Sequence, residues 1–164
     1  LEAAKFLNEK GYKNRFNIDF YGKIADTYKG EFNNNIKDFE NVFYKGFLNL
    51  KELNGYDRLA SYDMMLFPTY WRGEGFAGVF IDALICGLPM IASDWAHNKE
   101  FMIDGDLAVY VPVHDVHALF CKMKDCIDGK IDFLSMAIKC QEVASQYNVD
   151  NVITDNLLRK IGVL

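Results

Sequence analysis

Two carboxylates, Glu74 and Asp82, stand eight residues apart on either side of a glycine-rich turn. Glycines allow the backbone to approach a ligand closely, and the free N–H groups of a helix start attract anions. If a helix begins near Gly78, Asp82 lies about one turn inside it and Glu74 lies in the turn before it. The pair can then hold two hydroxyl-bearing parts of one anionic ligand. An ordinary capped strand–helix junction shows the same pattern, and the spacing alone favours neither interpretation.

Short apolar runs that alternate with helical patterns must position these residues. The runs predict five strands, at Phe16–Tyr21, Asn41–Tyr44, Met64–Phe67, Pro89–Ala92 and Leu107–Val111. The helical patterns cover Leu1–Lys10, Tyr28–Phe39, Asn49–Ser61, Gly78–Cys86, Lys99–Ile103, Val116–Ile127, Asp132–Tyr147 and Val149–Ile161. Strands separated by helices predict an α/β fold, with a doubly wound, mostly parallel, Rossmann-like sheet and helices on both faces. We expect one domain over residues 1–164.

Composition excludes several classes of protein. The chain has 164 residues, 51% hydrophobic and 25% charged, which is typical of a globular domain and not of disorder or collagen. Its net charge of −5 argues against a nucleic-acid partner. No apolar run approaches the roughly 20 residues that cross a bilayer. Four scattered cysteines predict reduced thiols and a cytoplasmic protein.

Two motifs resemble metal sites. His114 and His117 have a spacing that can share a metal on a helix, but a closed site needs about four ligands. We interpret them, with Asp115, as a capped helix start. Asp104-Gly105-Asp106 is typical of a polar turn. We therefore expect neither a metal nor a cofactor.

The stretch around the two carboxylates resembles a known signature. The E-x7-E motif and the trailing A-x-G-x-P-V-I-A-S of retaining glycosyltransferases of family four, which have the GT-B fold, are similar to Glu74-Gly75-Phe76, Asp82-Ala83 and Gly87-Leu88-Pro89-Met90-Ile91-Ala92-Ser93. Weaker agreement extends along nearly the whole chain, at Phe43-Tyr44-Lys45-Gly46, Asp63–Pro68 and Lys99-Glu100-Phe101-Met102.

The resemblance implies roles for individual residues. The chain would be the C-terminal, donor-binding half of a two-domain enzyme of the bacterial surface-polysaccharide type. Glu74 would be catalytic and hold hydroxyls of the transferred sugar, whereas Asp82 would hold the ribose of the nucleotide. The donor would also contact backbone amides at Gly75, Phe76, Ala77 and Gly78, and its base would contact the turn at Gly46, Phe47 and Leu48. Arg72 is interpreted as a cation on the donor diphosphate. Tyr70 and Trp71 are interpreted as lining the acceptor entrance, with plain loop packing as the alternative.

The chain departs from the family in three respects, one of which is that Ala77-Gly78 stands where Gly-Leu is commoner. Asp82 replaces the usual Glu and draws the carboxylate back by one methylene. The family's first strand, with a G-R…K pair of cations, would lie before Leu1. That strand is central in the family, between the strands that end at Gly22 and Phe67, so without it two inner sheet edges are unpaired. We expect a fragment that lacks its N-terminal acceptor domain, is inactive alone and self-associates through these edges.

The implied reaction is retaining transfer of a hexose or N-acetylhexosamine from a nucleotide diphosphate, for which we favour UDP. The acceptor would be a glycan or a polyprenyl-diphosphate-linked glycan in polysaccharide assembly, such as that of lipopolysaccharide O-antigen. The full-length enzyme would be cytoplasmic or peripheral at the inner membrane face. Two alternatives stay open: another GT-B enzyme, such as an epimerase or a phosphorylase, and a non-catalytic nucleotide-binding or assembly module.

Overall fold

The computed structural model describes residues 1–73 and 77–163. Its helices are α1 Glu2–Glu9, α2 Asp26–Ile36, α3 Gly55–Ala60, α4 Val79–Ile85, α5 Asn98–Phe101, α6 Val116–Ile127, α7 Phe133–Ala144, α8 Val149–Val152 and α9 Asp155–Lys160. Its strands are β1 Ile18–Tyr21, β2 Val42–Gly46, β3 Met65–Phe67, β4 Met90–Ser93 and β5 Ala108–Val111. Helices and strands alternate as predicted, because each short apolar run is closed by a turn residue before the next helical pattern. The α/β class is confirmed.

All of these strands pair in parallel. β1 pairs with β2, with Ile18 opposite Val42. β4 lies between β3 and β5, with Met90 opposite both Met65 and Ala108. The described strands form one two-stranded sheet, β1 with β2, and one three-stranded sheet in the order β3, β4, β5. A further strand that completes one sheet stays a prediction.

Contacts divide the chain into two compact units. Unit 1 contains Leu1–Gly55 and Asp115–Ile131, and unit 2 contains Tyr56–His114 and the chain from Asp132 onward. The prediction of one donor-binding domain over residues 1–164 stays a prediction.

In unit 1, α1 packs against α6. Leu7 is fully buried, and the ring of Phe6 meets Phe120 edge-on, with 6.1 Å between the ring centroids. At the end of this helix pair, Tyr12 and Arg15 both donate hydrogen bonds to the carboxylate of Asp128. Apolar contact and the hydrogen bonds to the Asp128 carboxylate therefore hold α1 against α6.

In unit 2, α4 packs against α7, and the ring of its Phe80 meets Phe67 of β3 edge-on, with 5.1 Å between the ring centroids. Phe80, Ala83 and Leu84 recur at the spacing of one helix face, and each is at most 1% exposed. All four residues of β4 are buried, because the strand lies between two others. The core that positions the start of α4 is therefore almost entirely apolar.

Two predicted helices differ from those observed. Asn49–Ser61 was expected to be one helix, but α3 begins at Gly55. Asn49 accepts a hydrogen bond from the amide of Lys51, and Asn54 has a left-handed φ of 68°, so turns occupy the first half of this segment. The last stretch, Val149–Ile161, is broken into α8 and α9, because Thr154 leaves the helix and caps α9 by accepting from the amide of Leu157.

The four cysteines are all free. Cys126 and Cys140 are buried, whereas Cys86, expected to be a buried apolar residue, is only half-buried. Among the described residues, no helix is both long enough and apolar enough to cross a bilayer.

Candidate functional site

The candidate site of unit 2 lies where β3, β4 and β5 end. Because these strands are parallel neighbours, the segments that follow Phe67, Ser93 and Val111 leave the sheet at the same edge. In doubly wound folds, ligands bind at this edge.

The start of α4 is the center of the predicted site. Glu74, Gly75 and Phe76 lie outside the described residues. Ala77 is buried, and Gly78 is the exposed residue directly before α4. The amides of Phe80 and Ile81 donate to the carbonyls of Ala77 and Gly78, so the helical hydrogen bonds begin here. The amides that precede the first helical bond have no partner within the helix, which makes this turn suited to an anion or a ligand oxygen.

Asp82 lies one turn inside α4, as the spacing predicts. Its Oδ1 accepts a hydrogen bond of 2.7 Å from the phenol of Tyr56, at the start of α3. This hydrogen bond, followed by burial and the charge of Asp82, raises the pKa of Tyr56 to about 12. Tyr56 therefore stays protonated at neutral pH and acts as a donor to the carboxylate.

Tyr56 is held to α4 at a second point. Cys86, one turn after Asp82, donates from Sγ to the backbone carbonyl of Tyr56 over 3.7 Å. Burial, followed by the charge of Asp82, raises the pKa of Cys86 to about 11, so the thiol stays protonated. One turn of α4 and the residue directly after the helix thus contact one residue of α3. No sequence motif predicts this contact, since Tyr56 and Asp82 are separated by 26 positions.

The segment after β3 lines a cavity of about 590 Å³, formed by Thr69, Tyr70, Trp71 and Arg72. Tyr70 is 55% exposed and Trp71 is 70% exposed, so neither side chain is packed as a core residue would be. The hollow is open to solvent and is lined by consecutive residues, three of which, Tyr70, Trp71 and Arg72, were predicted to be in the site.

Side chains from the neighbouring strand ends support this segment. The indole N–H of Trp95, after β4, donates to the carbonyl of Trp71 over 2.9 Å. The ring of His114, after β5, lies 4.1 Å from the ring of Tyr70, measured between centroids. The aromatic segment is therefore tied to both neighbouring loops. Its support by Trp95 and His114 was not predicted from the sequence.

Arg72 is exposed, and within the described ranges 1–73 and 77–163 its guanidinium has no recorded ion pair. A guanidinium offers five N–H donors in a fixed plane that matches phosphate and carboxylate oxygens. Arg72 is thus chemically suited to an anion.

A buried polar residue anchors the loop after β4. Asn98 is 1% exposed, and its Nδ2 donates to the carbonyl of Ser93 over 3.0 Å. The phenol of Tyr110 lies within hydrogen-bond distance of the carbonyls of Asn98 and Met102, and burial is the main cause that raises its pKa. These contacts hold α5 on the sheet and fix the start and end of the loop that carries Trp95.

Unit 1 contains the predicted base-binding turn at Gly46, Phe47 and Leu48. Gly46 has a φ of 77° and accepts a hydrogen bond from the amide of Gly22 at the end of β1. Phe47, directly after it, is 78% exposed, and Leu48 is half-buried. The turn therefore presents one aromatic ring to solvent beside a rigid strand end.

The two metal-like motifs have structural roles. Asp115 caps α6 by accepting from the amide of Ala118, which confirms the predicted helix start. Gly105 has a φ of 81° and donates to the carbonyl of Ala108, so Asp104-Gly105-Asp106 forms the predicted turn. Within the described residues, no three potential ligands form a metal-binding group.

Comparison with known proteins gives a family match. The family model described as "Glycosyl transferases group 1" matches residues 1–128. A Klebsiella pneumoniae protein, described as an uncharacterized 41.2 kDa protein in the cps region, is 32% identical over 126 residues, which is 71% of this chain and 33% of that protein. The chain thus spans about a third of the length of this relative.

Two solved structures share the fold. The crystal structure of TarM matches with a TM-score of 0.73 and 19% identity, over 99% of this chain and 31% of that one. The Anabaena protein Alr3699/HepE in complex with UDP matches with a TM-score of 0.72 and 18% identity, over 99% of this chain and 52% of that one. A second structure of HepE holds UDP-glucose.

Proposed function

This chain belongs to the group 1 glycosyltransferases, and from that premise we propose that it binds a nucleotide-diphosphate sugar for retaining transfer. The observation that carries the proposal is Asp82. This carboxylate lies one turn inside α4, which follows a glycine-rich segment of the sequence after the half-buried parallel strand β3. The arrangement supports recognition of a ligand that carries both hydroxyls and phosphates.

In this proposal the two carboxylates hold different parts of the donor. Asp82 binds ribose hydroxyls, and Glu74 binds hydroxyls of the transferred sugar. The amides at Gly75, Phe76, Ala77 and Gly78 contact the sugar and the diphosphate. The exposure of Gly78 and the position of Asp82 within α4 support these assignments.

The donor class proposed is a UDP-hexose or a UDP-N-acetylhexosamine. HepE, which shares the fold, has been crystallised with UDP and with UDP-glucose. The family and its chemistry support a sugar nucleotide in general, and UDP is the choice that a binding experiment can test directly.

The proposed chemistry is rupture of the glycosyl–phosphate bond through an oxocarbenium-like state, with the acceptor attacking from the same face. Charge then develops on the leaving diphosphate. Fixed N–H groups and a cation aimed at that charge lower the barrier, and Arg72 has the chemistry for the second role. Protein carboxylates act as nucleophiles in retaining glycosidases, whereas here the leaving phosphate takes the acceptor's proton.

The acceptor proposed is a glycan or a polyprenyl-diphosphate-linked glycan of a polysaccharide pathway. Tyr70 and Trp71 would line its entrance, and the exposure of both side chains is compatible with that role. An N-terminal domain would supply the rest of the acceptor site.

The turn in unit 1 is a separate part of the proposal. Gly46, Phe47 and Leu48 would contact the base of the nucleotide, and the exposed ring of Phe47 is suited to stacking. Phe47→Ala in the full-length protein would then weaken UDP binding while leaving the affinity for inorganic diphosphate unchanged.

Calorimetric titration of UDP into the full-length protein, with a labelled-sugar transfer assay, tests the proposal. We expect UDP binding at millimolar affinity or tighter, transfer with retained anomeric configuration, and weaker UDP binding by Asp82→Ala. Asp106→Ala, which removes an exposed carboxylate from a turn of the same unit, is the matched control. Absence of UDP binding would favour an assembly module, and UDP binding without transfer to any glycan would favour another GT-B enzyme.

A further inference from the structure

The carboxylate of Asp82, in a side chain that is only partly buried, is held by a hydrogen bond from a neighbouring helix. An aspartate on a helix surface ordinarily samples several side-chain rotamers. Here Oδ1 accepts the hydrogen bond from the Tyr56 phenol at 2.7 Å. Among the described residues, Tyr56 is the one side chain that donates to the carboxylate of Asp82. The second oxygen, Oδ2, is thus available to a ligand in a fixed direction.

The donor of this hydrogen bond is itself fixed. Tyr56 lies in the first turn of α3, and its backbone carbonyl accepts from Cys86, the residue directly after α4. Side chain and main chain of Tyr56 therefore contact Asp82 within α4 and Cys86 at its C-terminal end, which are four residues apart and lie on one face. Because Tyr56 is held through both its hydroxyl group and its backbone carbonyl, it loses little further conformational freedom when it orients Asp82.

We propose that Tyr56 is a positioning residue, which holds Oδ1 of Asp82 so that Oδ2 is presented to a ribose hydroxyl of the donor. The inference rests on the proposed function, in which Asp82 binds the ribose. The hydrogen bond from Tyr56 also fixes the position of the Asp82 carboxylate. Aspartate has one methylene fewer than the glutamate usual in the family, so it cannot adjust its position as a glutamate would. Tyr56 acts through Asp82 and does not touch the donor.

The test is a double-mutant cycle in the full-length protein, read out as the dissociation constant for UDP. Tyr56→Phe removes one oxygen and should weaken UDP binding about 3- to 10-fold, the effect expected for one hydrogen bond. In the Asp82→Ala background the same substitution should have no further effect, since the group that it positions is gone. In the transfer assay, Tyr56→Phe should raise the KM for the donor and leave kcat unchanged.

Tyr147→Phe is the matched control, because Tyr147 belongs to the same unit, is 42% exposed compared with 38% for Tyr56, and should leave the dissociation constant unchanged. Unchanged or tighter UDP binding by Tyr56→Phe would overturn the inference. An equal loss in the presence and absence of Asp82 would also overturn it, since Tyr56 would then act elsewhere. If Asp82→Ala itself binds UDP normally, the proposed ribose contact fails first. Thermal unfolding of each variant separates these results from loss of the fold.

Discussion

A glycine lies at each end of α4, Gly78 before the helix and Gly87 after it. The two positions differ in whether the fold requires a glycine there. Gly78, at the start, has φ −53° and ψ −28°, which any residue can adopt, and no described atom lies within 4 Å of a Cβ built there. Gly87, at the end, has a left-handed φ of 64° and would place a Cβ 3.0 Å from the side chain of Gln141. The fold therefore requires a glycine at position 87 but not at position 78.

The hydrogen bonds at the two ends agree with this difference. After the helix, the amides of Gly87 and Leu88 donate to the carbonyls of Leu84 and Ala83, the pattern of a Schellman motif. Before the helix, Gly78 has no side chain that can cap the first amides. The end of α4 is thus closed by the protein itself, whereas among the described residues no side chain caps its start. In one helix, the same residue type serves the fold at one end and, in our proposal, the donor at the other.

Glu74→Ala tests the ligand-binding end and should have the largest effect. Turnover of the full-length enzyme should fall about 100- to 1,000-fold, the loss typical when one group that stabilises a transition state is removed. The free energy of unfolding should change little, because a carboxylate that acts on the donor is not part of the apolar core. Steady-state transfer kinetics and urea unfolding measure both quantities, with Asp106→Ala as the control. Unchanged turnover would remove Glu74 from the site.

Gly78→Ala separates the two roles of glycine most directly. The backbone angles at position 78 accept a methyl group and no described atom lies within 4 Å of it, so the free energy of unfolding should change by no more than about 1 kcal/mol in either direction. If the donor approaches the backbone here, the methyl group should weaken UDP binding about tenfold. Calorimetry and urea unfolding on the same variant measure the two effects.

Gly30→Ala is the matched control for this substitution, since Gly30 lies within α2 and a Cβ there also meets no described atom. Gly30→Ala should raise the free energy of unfolding by up to about 1 kcal/mol and leave UDP binding unchanged. If Gly78→Ala binds UDP as tightly as Gly30→Ala does, the start of α4 does not contact the donor. The donor-binding role assigned to Gly78 is then wrong.

Gly87→Ala should show the opposite behaviour. A left-handed alanine costs roughly 1–2 kcal/mol, and Gln141 must also move, so the free energy of unfolding should fall by at least about 1 kcal/mol. The UDP dissociation constant of the folded protein should stay unchanged, because the methyl group faces α7 and not the strand-end edge. Loss of UDP affinity without loss of stability would reverse the roles assigned to the two ends.

How much the sequence could predict depends on the range of the interactions involved. The strands, the start of α4 and the place of Asp82 follow from short apolar runs and from glycine and proline at their ends, which are local features. The Asp115 cap was predicted for the same reason. Asn49–Ser61 was predicted as one helix because its apolar periodicity conceals the turn that Asn49 and Asn54 impose.

The contacts that organise the candidate site are nonlocal, and the sequence does not encode them in a motif. Tyr56 meets Asp82, and Tyr70 meets His114, only because parallel strands bring distant turns to one sheet edge. A tyrosine at a helix start and a histidine after a strand are unremarkable as sequence. Their partners emerge from packing, so they became visible only in the structure.

The end of α6 offers a third kind of helix end, held by charged side chains, and should give the smallest effect. Lys124, Tyr12 and Arg15 all donate to Asp128, and the hydrogen bond from Lys124 is the main cause that lowers the pKa of Asp128 to about 2. A carboxylate with a lowered pKa stabilises the fold above its ordinary pKa of about 4, and this stabilisation is lost as the pH falls toward 2. Asp128→Asn should therefore be slightly less stable than the wild type at pH 6, and the difference should close between pH 4 and pH 2. Urea midpoints measured across this range test the prediction, with Asp106→Asn as the control. A difference that stays constant down to pH 2 would mean that the contacts of Asp128 stabilise the end of α6 through packing and not through charge.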